Sequence, residues 1–293
     1  MVIDKSAHYM RKERDNMDTS IAFTLGPLTI RWYGIIVAAA FAVGSYLAYR
    51  ETKRLKLDMD ELLNILIIII PSSIIGARLY YVAMRWDFYG QNPSFILQTW
   101  MGGLAVHGGI IGALLAILIY CRLRKHSFLA WTDILAPSLA IGQAIGRWGN
   151  YFNQEAYGYE TSLPWAMMID GAKRHPTFLY ESLWNLLVFA LLILLSRRRH
   201  RAGTIFAAYL IAYSVGRFFI EMLRTDSLMI GPWRSAMVVS VLSVLIGLLI
   251  LYFTRRQPLP AEGFSPLGKQ PASRQIKRAE QRESQKKQGK KDK

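Results

Sequence analysis

Within Gly142–Gly158, GQAIGRWGNYFNQEAYG, the chain gathers Arg147, Asn150, Asn153 and Glu155 into nine residues at the end of an apolar segment. A guanidinium, two carboxamides and a carboxylate are the groups that hold an anion and orient a polyol. Placed at membrane depth, such a cluster is costly, and its default reading is a functional site. Glycines 142, 146, 149 and 158 would let backbones and ligands approach closely. A second set is Tyr209, Tyr213, Arg217 and Glu221, which recur at i+4 and form one stripe on a helix. Arg224 follows Glu221 by three. The stripe is expected to face the interior of a bundle. Its blander reading is a structural Arg217–Glu221 pair that locks helices together.

Other polar signals are weaker. Gly102, Gly103, His107, Gly108, Gly109 and Gly112 form a GGxxxHGGxxG run, whose blander reading is close helix packing through small residues. His107 is either a hydrogen-bonded structural group or a base. In HPTFLYE, His175–Glu181, Pro176 suits a helix's first turn and Glu181 favours a helix N-terminus. Asp133 before Ile134 looks like the cap of the helix that follows. The single cysteine, Cys121, reads as a small apolar residue at a helix end. There is no HExxH, P-loop or GxSxG, so zinc protease, ATPase and serine hydrolase readings lack support. No metal site and no cofactor are expected.

These residues need elements to position them, and the apolar runs supply seven spans of about 20 residues. They are about Trp32–Tyr49, Leu62–Tyr81, Leu104–Tyr120, Ile134–Arg147, Phe178–Leu195, Gly203–Met222 and Ala236–Phe253. Pro71 should kink the second. The fourth is short and reads as partly re-entrant. The chain is thus an all-α polytopic membrane protein. Basic clusters follow spans one, three, five and seven, so the positive-inside rule puts the N-terminus outside and the C-terminus in the cytoplasm. Residues 1–30 form an extracytoplasmic segment without a cleavable signal, 31–256 the membrane domain, and 257–293 a basic disordered tail. The formal charge of +16 does not imply nucleic acid. From Arg255 on, twelve Lys/Arg face four Asp/Glu, and a solvated tail near anionic lipid accounts for them.

At ~1.5 Å per residue, Arg217 stands ~21 Å and Arg78 ~24 Å from the cytoplasmic face. Arg147, His107 and Tyr33 fall at the outer ends of their spans. Five polar residues from five spans therefore share the outer half of the bilayer. Guanidinium groups pair bidentately with phosphate, and the phosphate of an outer-leaflet phospholipid lies near that level. The residues imply a bound anionic lipid. A lipid carrier or channel would need a polar path across the membrane instead, and a structural scaffold would not need the arginines.

The stretch Gly146–Gly158, GRWGNYFNQEAYG, closely resembles the signature of bacterial prolipoprotein diacylglyceryl transferases. HGGIIG at His107–Gly112, SFxxxxDxxAP at Ser127–Pro137, HPTFLYE at His175–Glu181 and YSVGRFFIEMLR at Tyr213–Arg224 are similar to that family in order and spacing. The resemblance covers about residues 27–253 and omits the tail. It implies a seven-helix enzyme of the bacterial cell membrane. Such an enzyme moves the diacylglyceryl group of phosphatidylglycerol to the lipobox cysteine in a prolipoprotein signal peptide, forming a thioether and releasing glycerol phosphate. It also implies that Arg147 and Arg217 are central to lipid binding and catalysis, and that Tyr33, His107, Asn150, Glu155, Gly158, Tyr213 and Glu221 take part. Two departures are Tyr151, where the family usually has Phe, and a segment between Glu155 and His175 shorter than in some members. The expected roles are a phosphate clamp by Arg147 and Arg217, help in deprotonating the thiol from His107 or Tyr213, and orientation by Asn150, Asn153 and Glu155. Arg78 and Glu221 complete the expected lipid site.

Overall fold

The computed structural model describes residues 20–26, 28–99, 102–169, 171–227 and 229–256. The expected tail at 257–293 and most of the N-terminal segment fall outside them. Seven helices are long and apolar enough to cross a membrane: α1 Trp32–Arg54, α2 Met59–Met84, α3 Val106–Arg124, α4 Phe128–Phe152, α5 Thr177–Ser196, α6 Thr204–Met222 and α7 Ser235–Thr254. Three two-stranded antiparallel hairpins accompany them: β1 Ile21–Leu25 with β2 Leu28–Arg31 before α1, β3 Met167–Ile169 with β4 Ala172–Arg174 between α4 and α5, and β5 Met229–Ile230 with β6 Trp233–Arg234 between α6 and α7. The all-α polytopic class holds.

Two sequence expectations change. The fourth span is a full crossing of 25 residues, not a short re-entrant piece. Half of its most apolar window is buried in protein, a larger share than for any other span. Thr132, Asp133 and Gln143 therefore meet protein partners and need no lipid-compatible side chain. Asp133 does not cap its own helix. It is 4% exposed and accepts from Gly203 N and Phe206 N, both at 2.7 Å, so it caps α6 from a neighbouring helix. α2 runs on through Pro71 as one helix.

The chain divides into two compact units. The first spans Tyr49–Trp131. In it α2 and α3 pack through the expected glycine stripe: a Cβ on Gly108 would sit 2.3 Å from the Gly76 carbonyl oxygen, so only glycine permits that approach. At the far end of the pair, the Glu61 carboxylate accepts from Tyr120 Oη at 2.5 Å and Arg124 Nη2 at 2.8 Å, and meets His126 Nε2 at 3.1 Å.

The second unit comprises the described residues up to Ala48 and those from Thr132 on. Its core joins Ala136 and Ala140 of α4, Val188 and Leu192 of α5, and Ile205 and Tyr209 of α6. Small residues on α4 let the helices close, and Ser182 Oγ donates to Ala144 O at 2.8 Å to tie α5 to α4. The buried face of α5 runs Phe178, Glu181, Ser182, Asn185, Val188, Leu192. That stripe carries a carboxylate and a carboxamide into the interior.

Candidate active site

The stripe on α6 faces inward as its spacing requires. Tyr209 is 4% and Glu221 1% exposed. The rings of Tyr209 and Tyr213 stack at 5.6 Å, and Tyr209 Oη donates to Gln143 Oε1 at 3.0 Å. Arg217 Nη2 lies 2.7 Å from Glu221 Oε2, so the structural pair exists. It is only one link of a longer ionic chain.

The centre of that chain is Glu181, 3% exposed. Arg147 Nη2 lies 2.6 Å from its Oε2, and Arg217 Nη1 donates to its Oε1 at 2.8 Å. One buried carboxylate thus joins arginines from α4 and α6. Arg224 extends the chain, with Nη1 3.8 Å from Glu181, Nε 3.8 Å from Glu221, and Nε and Nη2 each 3.0 Å from Asp226. Asp226 lies beyond the end of α6. Burial pushes its carboxyl up, but the hydrogen bonds and charge of Arg224 outweigh this and hold it below the usual carboxylate range. Arg234 of β6 donates to the Glu221 carbonyl and, at 2.9 Å, to Tyr159 Oη.

Around Arg147, Tyr213 is an electrostatic neighbour of the guanidinium, and Asn150 Oδ1 makes a long contact of 3.5 Å with Nη1. Asn150 Nδ2 donates to Glu155 Oε1 at 2.8 Å, and Asn153 Nδ2 to the same oxygen at 3.3 Å. The polar residues of the GRWGNYFNQEAYG stretch therefore form one network. Two of its glycines are sterically required. A Cβ on Gly149 would sit 2.7 Å from the Tyr33 ring, which packs there. A Cβ on Gly158 would sit 2.7 Å from His175 Cβ and 2.8 Å from Leu223 O, and Gly158 bridges to Arg224. Gly146 meets nothing within 4 Å, and Gly142 only ordinary contacts, so close approach does not explain those two.

Tyr33, Asn150, Asn153, Glu155, Gly158, Arg147, Tyr213, Arg217 and Glu221 all belong to this unit. Arg78 and His107 belong to the other. Arg78 differs from expectation. Its guanidinium donates to Ile96 O (2.8 Å), Gly102 O (2.7 Å), Gly103 O (2.9 Å) and Phe95 O (2.6 Å), and stacks 5.1 Å from the Tyr89 ring centre. Its donors organise a loop and are not presented to an anion. His107 is exposed at the start of α3, with its ring 6.3 Å from that of Tyr80. Among the described residues, no three His, Cys, Asp or Glu side chains gather as metal ligands.

Sequence reasoning missed Glu181 as the hub and Asn185 beside it. A glutamate five residues into an apolar span was the available signal, since intramembrane carboxylates are rare. The residues beside it suggested a helix N-terminus instead.

The chain matches the family model described as prolipoprotein diacylglyceryl transferase over residues 20–253. It is 47% identical over 229 residues to a protein of Clostridioides difficile named phosphatidylglycerol–prolipoprotein diacylglyceryl transferase, covering 78% of this chain and 92% of that one. A protein of the same name from Trichormus variabilis is 46% identical over 260 residues, 83% and 92% of the two chains. One from Listeria welshimeri is 44% identical over 252 residues, 82% and 91%. The Arg147–Glu181–Arg217 centre lies wholly within the matched region, and the chain belongs to the prolipoprotein diacylglyceryl transferase family.

Proposed function

We propose that this chain transfers the diacylglyceryl group of phosphatidylglycerol to the lipobox cysteine of prolipoproteins in the bacterial cytoplasmic membrane. A carbon–sulfur bond forms at the glyceryl carbon, the carbon–oxygen bond to phosphate breaks, and glycerol phosphate leaves with the electron pair. The reading rests on family membership, and one observation carries its chemistry: Arg147 and Arg217 converge from separate helices on Glu181.

The magnitudes favour the leaving group as the main task. A free thiol of pKa ~8.5 is ~3% ionised at pH 7, so deprotonation costs only ~2 kcal/mol. A donor aimed at developing charge in a dry site supplies ~3–4 kcal/mol. Guanidiniums carry five N–H donors each, and the ion pairs of Arg147 and Arg217 leave some of them for a phosphodiester. In this reading the carboxylates hold both arginines aimed before lipid arrives. Asn150, Asn153 and Glu155 orient the headgroup, with Tyr33 and Gly158 shaping its surroundings. Tyr213, beside Arg147, or His107 helps the thiol lose its proton.

The N-terminus is outside, residues 31–256 form the transferase domain, and 257–293 form a cytoplasmic basic segment apart from it. The test is purified protein with labelled phosphatidylglycerol and a lipobox peptide. Thioether on the peptide is expected. Passage of lipid across a bilayer without covalent product would replace the transferase by a carrier.

A further inference from the structure

Asn185 lies one turn beyond Glu181 on the buried stripe of α5 and is 1% exposed. Its Oδ1 has no hydrogen-bond donor. Buried carboxamide oxygens are ordinarily paired, so an orphan marks a place where a ligand or water belongs. Asn185 lines a narrow cleft with Glu181, Trp184, Tyr213, Arg217 and Ile220. Trp184 forms one wall of the cleft. Its indole N–H donates to Ala212 O at 2.9 Å, and its ring rests on Gly216, where a Cβ would come within 2.1 Å of Nε1. The unpaired acceptor and the Arg217 guanidinium therefore border one space.

The chemistry of that space separates two parts of a lipid headgroup. A phosphodiester presents only acceptors to its surroundings and is served by guanidinium donors. A headgroup glycerol presents hydroxyl donors and needs an acceptor. Glu181 Oε2 and Glu221 Oε2 also accept no hydrogen bond within the protein, but each lies in an ion pair with an arginine, whereas the neutral Asn185 Oδ1 has neither kind of partner. The attacking thiol is a weak donor and reacts without its proton, so it is a poor match for this atom.

We propose that Asn185 is a specificity-determining residue, whose Oδ1 accepts a hydrogen bond from a hydroxyl of the headgroup glycerol and so selects that headgroup among phospholipids of equal charge. This rests on the transferase reading above. A site built to hydrogen-bond a hydroxyl discriminates strongly against the analogue that lacks it.

The experiment uses the full chain in lipid nanodiscs with a lipobox peptide. It compares kcat/KM for phosphatidylglycerol and for phosphatidylpropanol, which carries the same charge and no headgroup hydroxyl. The wild type should prefer phosphatidylglycerol by about tenfold or more. Asn185→Leu and Asn185→Ala should lose most of that ratio by slowing phosphatidylglycerol alone, and Asn185→Asp, which keeps an acceptor, should retain it. An equal loss with both lipids means a structural role and overturns the assignment, as does an unchanged ratio. If the apolar variants fail to fold, the wild-type ratio decides: equal use of the two lipids overturns the proposal. No thioether from phosphatidylglycerol with the wild type would instead bring down the transferase reading itself.

Discussion

Glu181 Oε2 lies 2.6 Å from Arg147 Nη2, while its other oxygen accepts from Arg217 at 2.8 Å. The carboxylate is buried, so neither arginine can be considered without it. Deleting one member of a buried ion group typically costs about 3–5 kcal/mol, because the partners stay buried and uncompensated. Glu181→Ala should therefore lower the thermal midpoint by several degrees and abolish detectable turnover. Glu181→Gln keeps the shape and removes the charge, and should fold while losing about a hundredfold in kcat. A Gln variant with wild-type kcat would remove Glu181 from the working site.

Arg217 reaches Glu181 with one nitrogen and Glu221 with the other. A lysine ammonium cannot span both. Arg217→Lys should fall within about tenfold of Arg217→Ala in kcat/KM despite its retained charge. Arg147→Ala and Arg217→Ala should each lose orders of magnitude more rate than His107→Gln. Steady-state rates with a lipobox peptide give the ranking, and the histidine change proving most damaging would reverse it.

Gly158 is enclosed by His175 Cβ and Leu223 O. Both atoms belong to rigid parts of the chain, so an added methyl has no flexible neighbour to displace. Gly158→Ala should cost about 1–3 kcal/mol and loosen the Gly158–Arg224 bridge. Hydrogen exchange across residues 157–160 and 223–225 would reveal the opening.

Asp226 makes stability depend on pH with a defined sign. Its folded carboxyl is held below the usual range by Arg224, whereas the unfolded value is about 3.9. The contribution is present above the unfolded value and is lost as pH falls through the folded one. The wild type should be more stable than Asp226→Asn by a constant margin from pH 7 to about 5, and the margin should close below about pH 4. The side chain is 40% exposed, so added salt should shrink the margin too.

Arg78 supplies donors to five separate peptide carbonyls, the longest contact being 3.4 Å to Gln98 O. Lysine has three donors on one atom and cannot reach them together. Arg78→Lys should destabilise by about 2–4 kcal/mol, since buried carbonyls left unpaired cost about 1–3 kcal/mol each. Faster exchange confined to residues 95–99 and 102–103 is the expected signature.

The seven spans were legible because apolar runs must match bilayer thickness, a constraint that acts locally. The α6 stripe was legible for the same reason: i+4 spacing needs no partner to be seen. Glu181 was misread because its meaning lies in Arg147 and Arg217, 34 and 36 positions away. Arg78 shows the converse. An intramembrane arginine was recognisable, but carbonyls carry no sequence signal, so its partners were not. The fourth span looked short because hydropathy measures fitness for lipid, and half of α4's most apolar window is buried in protein. Asp133 looked like a local cap because capping patterns are learned from adjacent residues, while here the capped helix starts 71 positions later.

That cap has a mechanical consequence for where Arg217 points. Asp133 grips the first turn of α6 at Gly203 and Phe206, and Arg217 rides the same helix three turns further on. Each added residue turns a helix by about 100°. The clocking of the guanidinium is therefore set partly from the opposite end of the rod, by a buried carboxylate on another helix.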